Sequence, residues 1–353
     1  MPEKNDELLK QQSPWSNNSN TVWLASNISL RRNIEKFKFP SKMDVERRKQ
    51  IISLLSKEML TSHLLKGAIL LKGEETSPLE KEFLVEHTLT PETFQSAHLG
   101  EAFLVERTGQ FLASINLKDH LHLQEVDIKG EIEATWGRLA KLESQIGQTI
   151  TYAYSPQFGF LTADPMECGT GLKAMLFLQL SALIHSGKLT GELEKIKEEQ
   201  VQTQNFLGHT DSCIGDILVL SNTFSLGVNE ESLLATLRNF AHKLIQLETS
   251  LRKQMGQEES ASIKDKVSRA YAILVHSYQI ETQEALNAIA LLKLGCDLNW
   301  IDGISMASLN NLFFNCRRAH LLRHFPEKVE QEQIPHKRAE FIHKGLQGVK
   351  LLI

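Results

Sequence analysis

The sequence predicts an α+β fold that ends in an all-helical C-terminal domain, and three observations carry this reading. As far as Leu220, apolar residues alternate or run in short blocks, the mark of strands. Beyond Gly227 they recur at three- and four-residue steps, the period of a helix face. Strands that come first and helices that come last argue for segregated rather than alternating elements. The 353 residues divide by composition into a flexible lead-in at 1–20, a mixed domain at 21–255 and a helical domain at 256–353.

Along the chain, the lead-in is rich in Asn, Ser and Gln, with Trp15 as its expected anchor. Val22-Trp23-Leu24 opens a strand that frays by Phe37-Lys38-Phe39-Pro40. Met43 to Lys66 has helical spacing, with Val45, Ile51, Ile52, Leu54, Leu55 and Met59 recurring at three- and four-residue steps. Phe103 to Ile115 reads as a hairpin turning at Arg107-Thr108-Gly109, and Leu121, Leu123 and Val126 continue as strand. Val126 to Ile146 is expected as an amphipathic helix carrying Trp136, Leu139 and Leu142. A short strand at Phe158–Thr162 leads into a loop from Asp164 to Gly171, then a buried strand from Leu172 to Leu180. Glu192 to Gln200 reads as a charged helical surface, and Ile214 to Leu220 as a further strand before Ser221-Asn222.

Glu231 to Met255 sets Leu233, Leu234, Leu237, Phe240, Leu244, Leu247 and Leu251 on one face, which is most simply core. A polar linker at Lys253–Ala261 follows, then a helix opened by Ser262 and Asp265 and running on to Tyr278. The next helix starts at Thr282 and stops with Gly295 as its C-cap. Leu309–Leu322 and Lys337–Val349 complete the tail.

Composition narrows the function. With 41% apolar and 23% charged residues, this is ordinary soluble-protein usage. A net charge of −4 and a pI near 6.4 supply no field for nucleic acid or an anionic membrane. Cys168, Cys213, Cys296 and Cys316 lack metal-ligand spacing and read as buried free thiols. Met1–Gln12 has no apolar signal core, and the run Ala174–Ile184 is too short to span a bilayer. A cytoplasmic location is expected.

Four segments occur in order: Leu24-Ala25-Ser26-Asn27-Ile28-Ser29-Leu30-Arg31-Arg32-Asn33; Asn116-Leu117-Lys118-Asp119-His120-Leu121-His122; Phe158 to Pro165 running on to Gly169-Thr170-Gly171-Leu172-Lys173-Ala174; and Gln204 to Asn222. Together they resemble the S-S-R-I-R-L-A-R-N, N-E-E-D-H-L-R, G-Y-L-T-x-C-P-T-N-x-G-T-G-x-R-A and R-G-x-Y-G-E…S-N blocks of the ATP:guanido phosphotransferase (phosphagen kinase) family. The tail, with Ser268-Arg269-Ala270 and Leu292-Lys293-Leu294-Gly295, is similar to that of the family's bacterial protein-arginine kinases. The resemblance implies a glutamine-synthetase-like antiparallel sheet flanked by helices, with ATP and Mg2+ as cofactors of any active form. It also implies protein clients or a small zinc-binding activator as partners, and a homodimer.

By that resemblance, the catalytic positions are Leu117, Lys118, Asp119 and Asp164. The ATP-site positions are Ala25, Ser26, Asn27, Ile28 and Ser29, then His87 and His122, then Lys173, Ala174, Met175, Leu176 and Phe177, and finally Gln204, Asn205, Phe206, Leu207, Gly208 and His209. No metal-ligand set is implied. Phosphoryl transfer rests on positioning and charge, so the family's arginines matter greatly. Here they are replaced by Asn27, Ser29, His122, Lys173 and Gln204, of which only Lys173 is cationic. Charge-assisted contacts contribute ~1.5–3 kcal/mol each, so the four neutral replacements remove about 6 kcal/mol or more of phosphate binding.

Lys118 stands where a carboxylate would orient the guanidinium, and its charge repels that group. Asp164 takes the place of the family's cysteine and is a candidate substitute carboxylate, while His209 replaces a glutamate. In the tail, Ile334-Pro335-His336-Lys337-Arg338-Ala339 stands for the family's phosphoarginine-reading R-D-x-x-R-A and keeps only the second arginine and the alanine.

Blander readings stand beside these. Gly169–Lys173 lacks phosphate-loop spacing and reads alone as a turn, and His87 reads alone as a helix-surface residue. Asp119 and His120 serve either chemistry or neighbouring backbone groups. Cys168 reads as packing, and the tail histidines 320, 324, 336 and 343 do not form a metal cluster. The expectation is a pseudokinase retained as a protein-binding or regulatory module. The alternative is an active protein-arginine kinase whose site is rebuilt from Lys118, Lys173, Arg31, Arg32 and histidines.

Overall fold

The computed structural model describes residues 14–353 apart from 91–93, 95–96, 209–212, 258–259 and 326. Its strands in the first two-thirds of the chain are β1 (Trp23–Arg32), β2 (Ile69–Lys72), β3 (Ala102–Val105), β4 (Phe111–Ile115), β5 (Leu121–Asp127), β6 (Tyr154–Ser155), β7 (Gly159–Phe160), β8 (Leu172–Gln179), β9 (Val201–Asn205) and β10 (Ile217–Asn222). Eight of these form one sheet in the order β2-β3-β4-β5-β1-β8-β10-β9, and β6 pairs with β7. Every β1 residue after Trp23 is buried, so its polar side chains require internal partners. β1 runs antiparallel to β5, with Ser29 opposite Gln124 and Arg31 opposite His122. The β3–β4 hairpin is the one expected, and β2 continues the antiparallel pairing beyond it.

Contact density separates two compact units: one includes Ala25–Met175 and Ser221–Leu237, the other Trp15–Leu24, Leu176–Leu220 and Arg238–Ile353. In the first unit, α1 (Val45–Thr61) starts where the Asp44 carboxylate accepts from the Arg47 amide at 2.8 Å, and it buries Ile51, Ile52, Leu55 and Met59. α2 (Pro78–Thr88) is opened by a capping box between Ser77 and Glu80. His87 on this helix is not a surface residue: it is 1% exposed and stacks on Phe83 at 4.9 Å. Gly109 makes room for it, since a β-carbon there would lie 2.2 Å from His87 Nε2. α3 (Ile132–Gly147) starts later than the sequence suggests because Val126 still belongs to β5.

The second unit corrects further expectations. α4 (Ser181–His185) and α5 (Leu189–Lys195) follow β8, so the charged helical surface ends well before Gln200, and β9 was not foreseen. Ile214 to Asp216 is a helical turn, and Ser221-Asn222 belongs to β10. α6 (Glu230–Gln257) runs through much of the supposed linker; residues 258–259 of that linker lie outside the described residues. α7 (Ala261–His276), α8 (Thr282–Asp297), α9 (Met306–Asn315), α10 (Arg318–Leu322) and α11 (Ile334–Gly345) follow. The tail is not purely helical: β11 (Ile301–Asp302) pairs with β12 (Lys350–Leu351).

Of the lead-in, residues 1–13 lie outside the described residues, and Pro14–Asn17 forms a helical turn. Trp15 is 0% exposed and stacks on Phe314 at 4.0 Å. Asn310 donates to the carbonyls of Asn18 and Asn20 at 2.7 and 2.9 Å.

Leu233, Leu234, Leu237, Phe240 and Leu244 are buried on α6 as expected, but Glu248 and Arg252 then take the buried stripe. Their ion pair measures 2.7 Å. Gly295 is no C-cap; it lies inside α8, where an added β-carbon would sit 2.6 Å from Val267 Cγ1 and 3.0 Å from Ile301 Cγ1. Gly295→Ala gains helix propensity but overfills this contact, and a net loss of about 1–2 kcal/mol in chemical unfolding is expected. Of the cysteines only Cys316 is buried; the other three are partly exposed.

Candidate functional site

Side chains alternate across a strand, so Asn27, Ser29 and Arg31 share one face of β1. Each is engaged. Asn27 Nδ2 donates to the Thr88 carbonyl at 2.6 Å and contacts Gln124 Oε1 at 3.4 Å. Ser29 Oγ donates to the Lys173 carbonyl at 3.2 Å. Arg31 pairs with Glu167 at 2.7 Å and with Asp119 at 3.4 Å. On the opposite face, Arg32 pairs with Glu143 at 2.6 Å. It also donates to the carbonyls of Arg31 and Thr170 and lies 3.6 Å from the Phe160 ring centre. Both guanidinium groups are therefore neutralised inside the protein.

Asp119 is 2% exposed and accepts from Asn33 Nδ2 at 2.6 Å, from the Ala163 amide at 2.7 Å and from Arg31. His120 accepts from the Ile34 amide at Nδ1, and its Nε2 meets the Lys38 carbonyl, both at 2.9 Å. One neutral tautomer satisfies both bonds, and burial lowers the ring's pKa, opposed by the Lys38 bond and Asp119. This pair ties three loops to the sheet. Leu117 is half-buried, and Lys118 is exposed.

Asp164 is exposed and caps a helical turn, accepting from the Met166 amide at 3.0 Å. Cys168 lies 3.5 Å from the Thr162 hydroxyl. Lys173 Nζ donates to the Asn222 carbonyl at 2.5 Å. Its pKa is lowered, first by burial and then by Arg31, against the pull of Glu167 and Asp164. His122 is buried beside Arg31, and Ala25, Ser26, Ile28, Ala174 and Met175 are buried strand residues.

The remaining candidates belong to the other unit. Leu176 and Phe177 are buried in β8, and Phe177 meets Phe206 edge-on at 6.1 Å. Gln204 is exposed on β9, and Asn205 Oδ1 accepts from the Cys213 thiol at 3.0 Å. Leu207 is 51% exposed with φ at 63°, next to Gly208. His209 lies outside the described residues.

In the tail, Arg338 is 2% exposed and donates to the carbonyls of Cys316 and Ile280 at 2.8 and 2.9 Å. Its guanidinium thus ties the helical domain together. His336 Nδ1 contacts the Tyr278 carbonyl at 2.8 Å. The sequence reading did not single out Glu143 and Glu167, the carboxylates that occupy the two arginines. Nothing local in the sequence marks them, since both partners come from distant segments.

The donor set fits a triphosphate poorly. Asn27 and Ser29 are spent on carbonyls, Lys173 is held by one, and the two arginines already carry carboxylates.

Comparison with known proteins agrees with this architecture. The family described as ATP:guanido phosphotransferase, C-terminal catalytic domain, matches residues 49–251. The Protein-arginine kinase McsB C-terminal domain matches residues 260–351. A protein-arginine kinase of Chlamydia pneumoniae is 36% identical, covering 97% of this chain and 96% of its own. One from Chlamydia muridarum (strain MoPn / Nigg) is 34% identical, covering 89% of each. Among solved structures, a lombricine kinase superposes with a TM-score of 0.57 at 20% identity, covering 69% of this chain and 73% of its own. A duplicated taurocyamine kinase from Schistosoma mansoni reaches a TM-score of 0.59 at 20% identity, covering 78% of this chain and 41% of its own. These structures share the fold. The chain belongs to the ATP:guanido phosphotransferase family and, within it, groups with the protein-arginine kinases.

Proposed function

We propose that this protein is a pseudokinase: a protein-arginine kinase fold that binds protein partners without appreciable phosphoryl transfer. The observation that carries this reading is the internal neutralisation of Arg31 by Glu167 and Asp119, and of Arg32 by Glu143. A rebuilt active site would need these guanidinium groups for the phosphates. Freeing either one strips its counter-charge from a partly buried carboxylate, Glu167 for Arg31 and Glu143 for Arg32, and this opposes release. Lys118 adds a further obstacle, since an exposed cation at that position repels an incoming guanidinium. The retained role is protein binding, with client proteins, a small zinc-binding activator or a second copy of the chain as partner.

Calorimetric titration with Mg-ATP tests the reading, together with mass spectrometry for acid-labile phosphoarginine on an arginine-containing substrate protein. No heat of binding at micromolar protein and no phosphoarginine are expected. Micromolar affinity or sustained turnover would overturn it.

A further inference from the structure

The helical domain encloses a cleft of about 620 Å³ between α9, α11 and the segment after α10, ample for a small organic ligand. Its walls combine rings with hydrogen-bond donors. The Phe341 and His324 rings are tilted 32° to each other with centres 4.8 Å apart, and Phe325 adds a second apolar ring. Asn311 enters with its oxygen already accepting from Asn315 at 2.7 Å, so its amide N–H groups are what remain for a ligand. Ser308 is exposed at the rim, where its hydroxyl meets that of Ser305 at 2.9 Å.

The charges settle the sign of the ligand. Glu340, the one carboxylate among the described lining residues, is paired at 3.0 Å with Lys337, which also meets Glu327 at 3.5 Å. Lys344 is exposed and carries no such pair among the described residues. The positive potential is also felt by His324, whose pKa is lowered by burial and then by Arg323 and Lys344. A cleft with one uncompensated ammonium, an amide donor and flat apolar walls suits an anion attached to a ring.

We propose that this cleft binds a planar aromatic anion of the size of a nucleoside monophosphate, with Lys344 and Asn311 on the anionic group and Phe341 against the ring.

Isothermal titration of the intact chain with adenosine monophosphate, adenosine and inorganic phosphate tests this. Adenosine monophosphate is expected to bind more tightly than either half. Lys344→Ala, at an exposed position, is expected to weaken it about tenfold or more, the effect of one charge-assisted contact. Phe341→Leu keeps an apolar side chain, so it should weaken adenosine monophosphate and leave phosphate unchanged. Thermal melts confirm that both variants fold. The proposal is overturned if adenosine monophosphate does not bind at millimolar concentration, if phosphate alone binds as tightly, or if folded Lys344→Ala retains full affinity. Nucleotide bound at β1 would be indifferent to Lys344, so the outcome is separate from that of the kinase test.

Discussion

Glu248→Ala is expected to lower the unfolding free energy by about 3–5 kcal/mol. The drop should appear as an earlier urea midpoint with an unchanged slope. Glu248 is 0% exposed, and its two oxygens accept from the Ala182 and Leu183 amides at 2.9 Å each. The same carboxylate receives Arg252 Nε at 2.7 Å. Truncation therefore strands two amides at the start of α4 and leaves a buried guanidinium with Asp297, at 3.3 Å, as its one carboxylate partner among the described residues. Glu248→Gln keeps one acceptor oxygen but loses the charge and the second acceptor, so it should fall between wild type and Glu248→Ala. Equal stability of all three proteins would show that the network is incidental.

Lys293→Met is expected to act in the opposite direction, stabilising the protein at neutral pH by about 1–3 kcal/mol, the cost of an unsatisfied buried polar group. Lys293 is 2% exposed; its Nζ has no hydrogen-bond partner among the described residues and lies 5.4 Å from the Phe313 ring centre. Burial, reinforced by Arg252 and only partly opposed by Asp216, lowers its pKa well below the ordinary 10.5. The unfolded chain then binds a proton that the folded chain releases. Stability from this residue therefore rises with pH between the lowered pKa and 10.5, and is lost as pH falls through that window. Thermal melts at neutral and alkaline pH read the slope, which the methionine variant should lack. A destabilised variant, or one with the same slope as wild type, would refute this account.

Periodicity made much of the fold legible. Ile51, Ile52, Leu55 and Met59 announced α1, and the hairpin ahead of Ile115 was marked by its alternation and the turn at Gly109. Elements shaped by tertiary context were not legible. β9 is polar and exposed at its centre, so no apolar pattern marks it. Gly295 looked like a stop signal because glycine usually is one, whereas here its missing side chain admits Val267. The same limit governed the site. The loss of cationic residues at Asn27, Ser29 and Gln204 could be read directly from the sequence. That Arg31 and Arg32 are occupied could not, because Glu167 and Glu143 reach them only through the folded chain.

The seat of Trp15 on Phe314 has a consequence for synthesis. Trp15 leaves the ribosome long before the helix that receives it has been translated. At ~5–20 residues per second the wait lasts about 15–60 s, during which a large indole stays uncovered. A stalled or prematurely terminated product that lacks α9 would leave that indole exposed permanently, giving chaperones and proteases a simple way to tell an unfinished copy from a finished one.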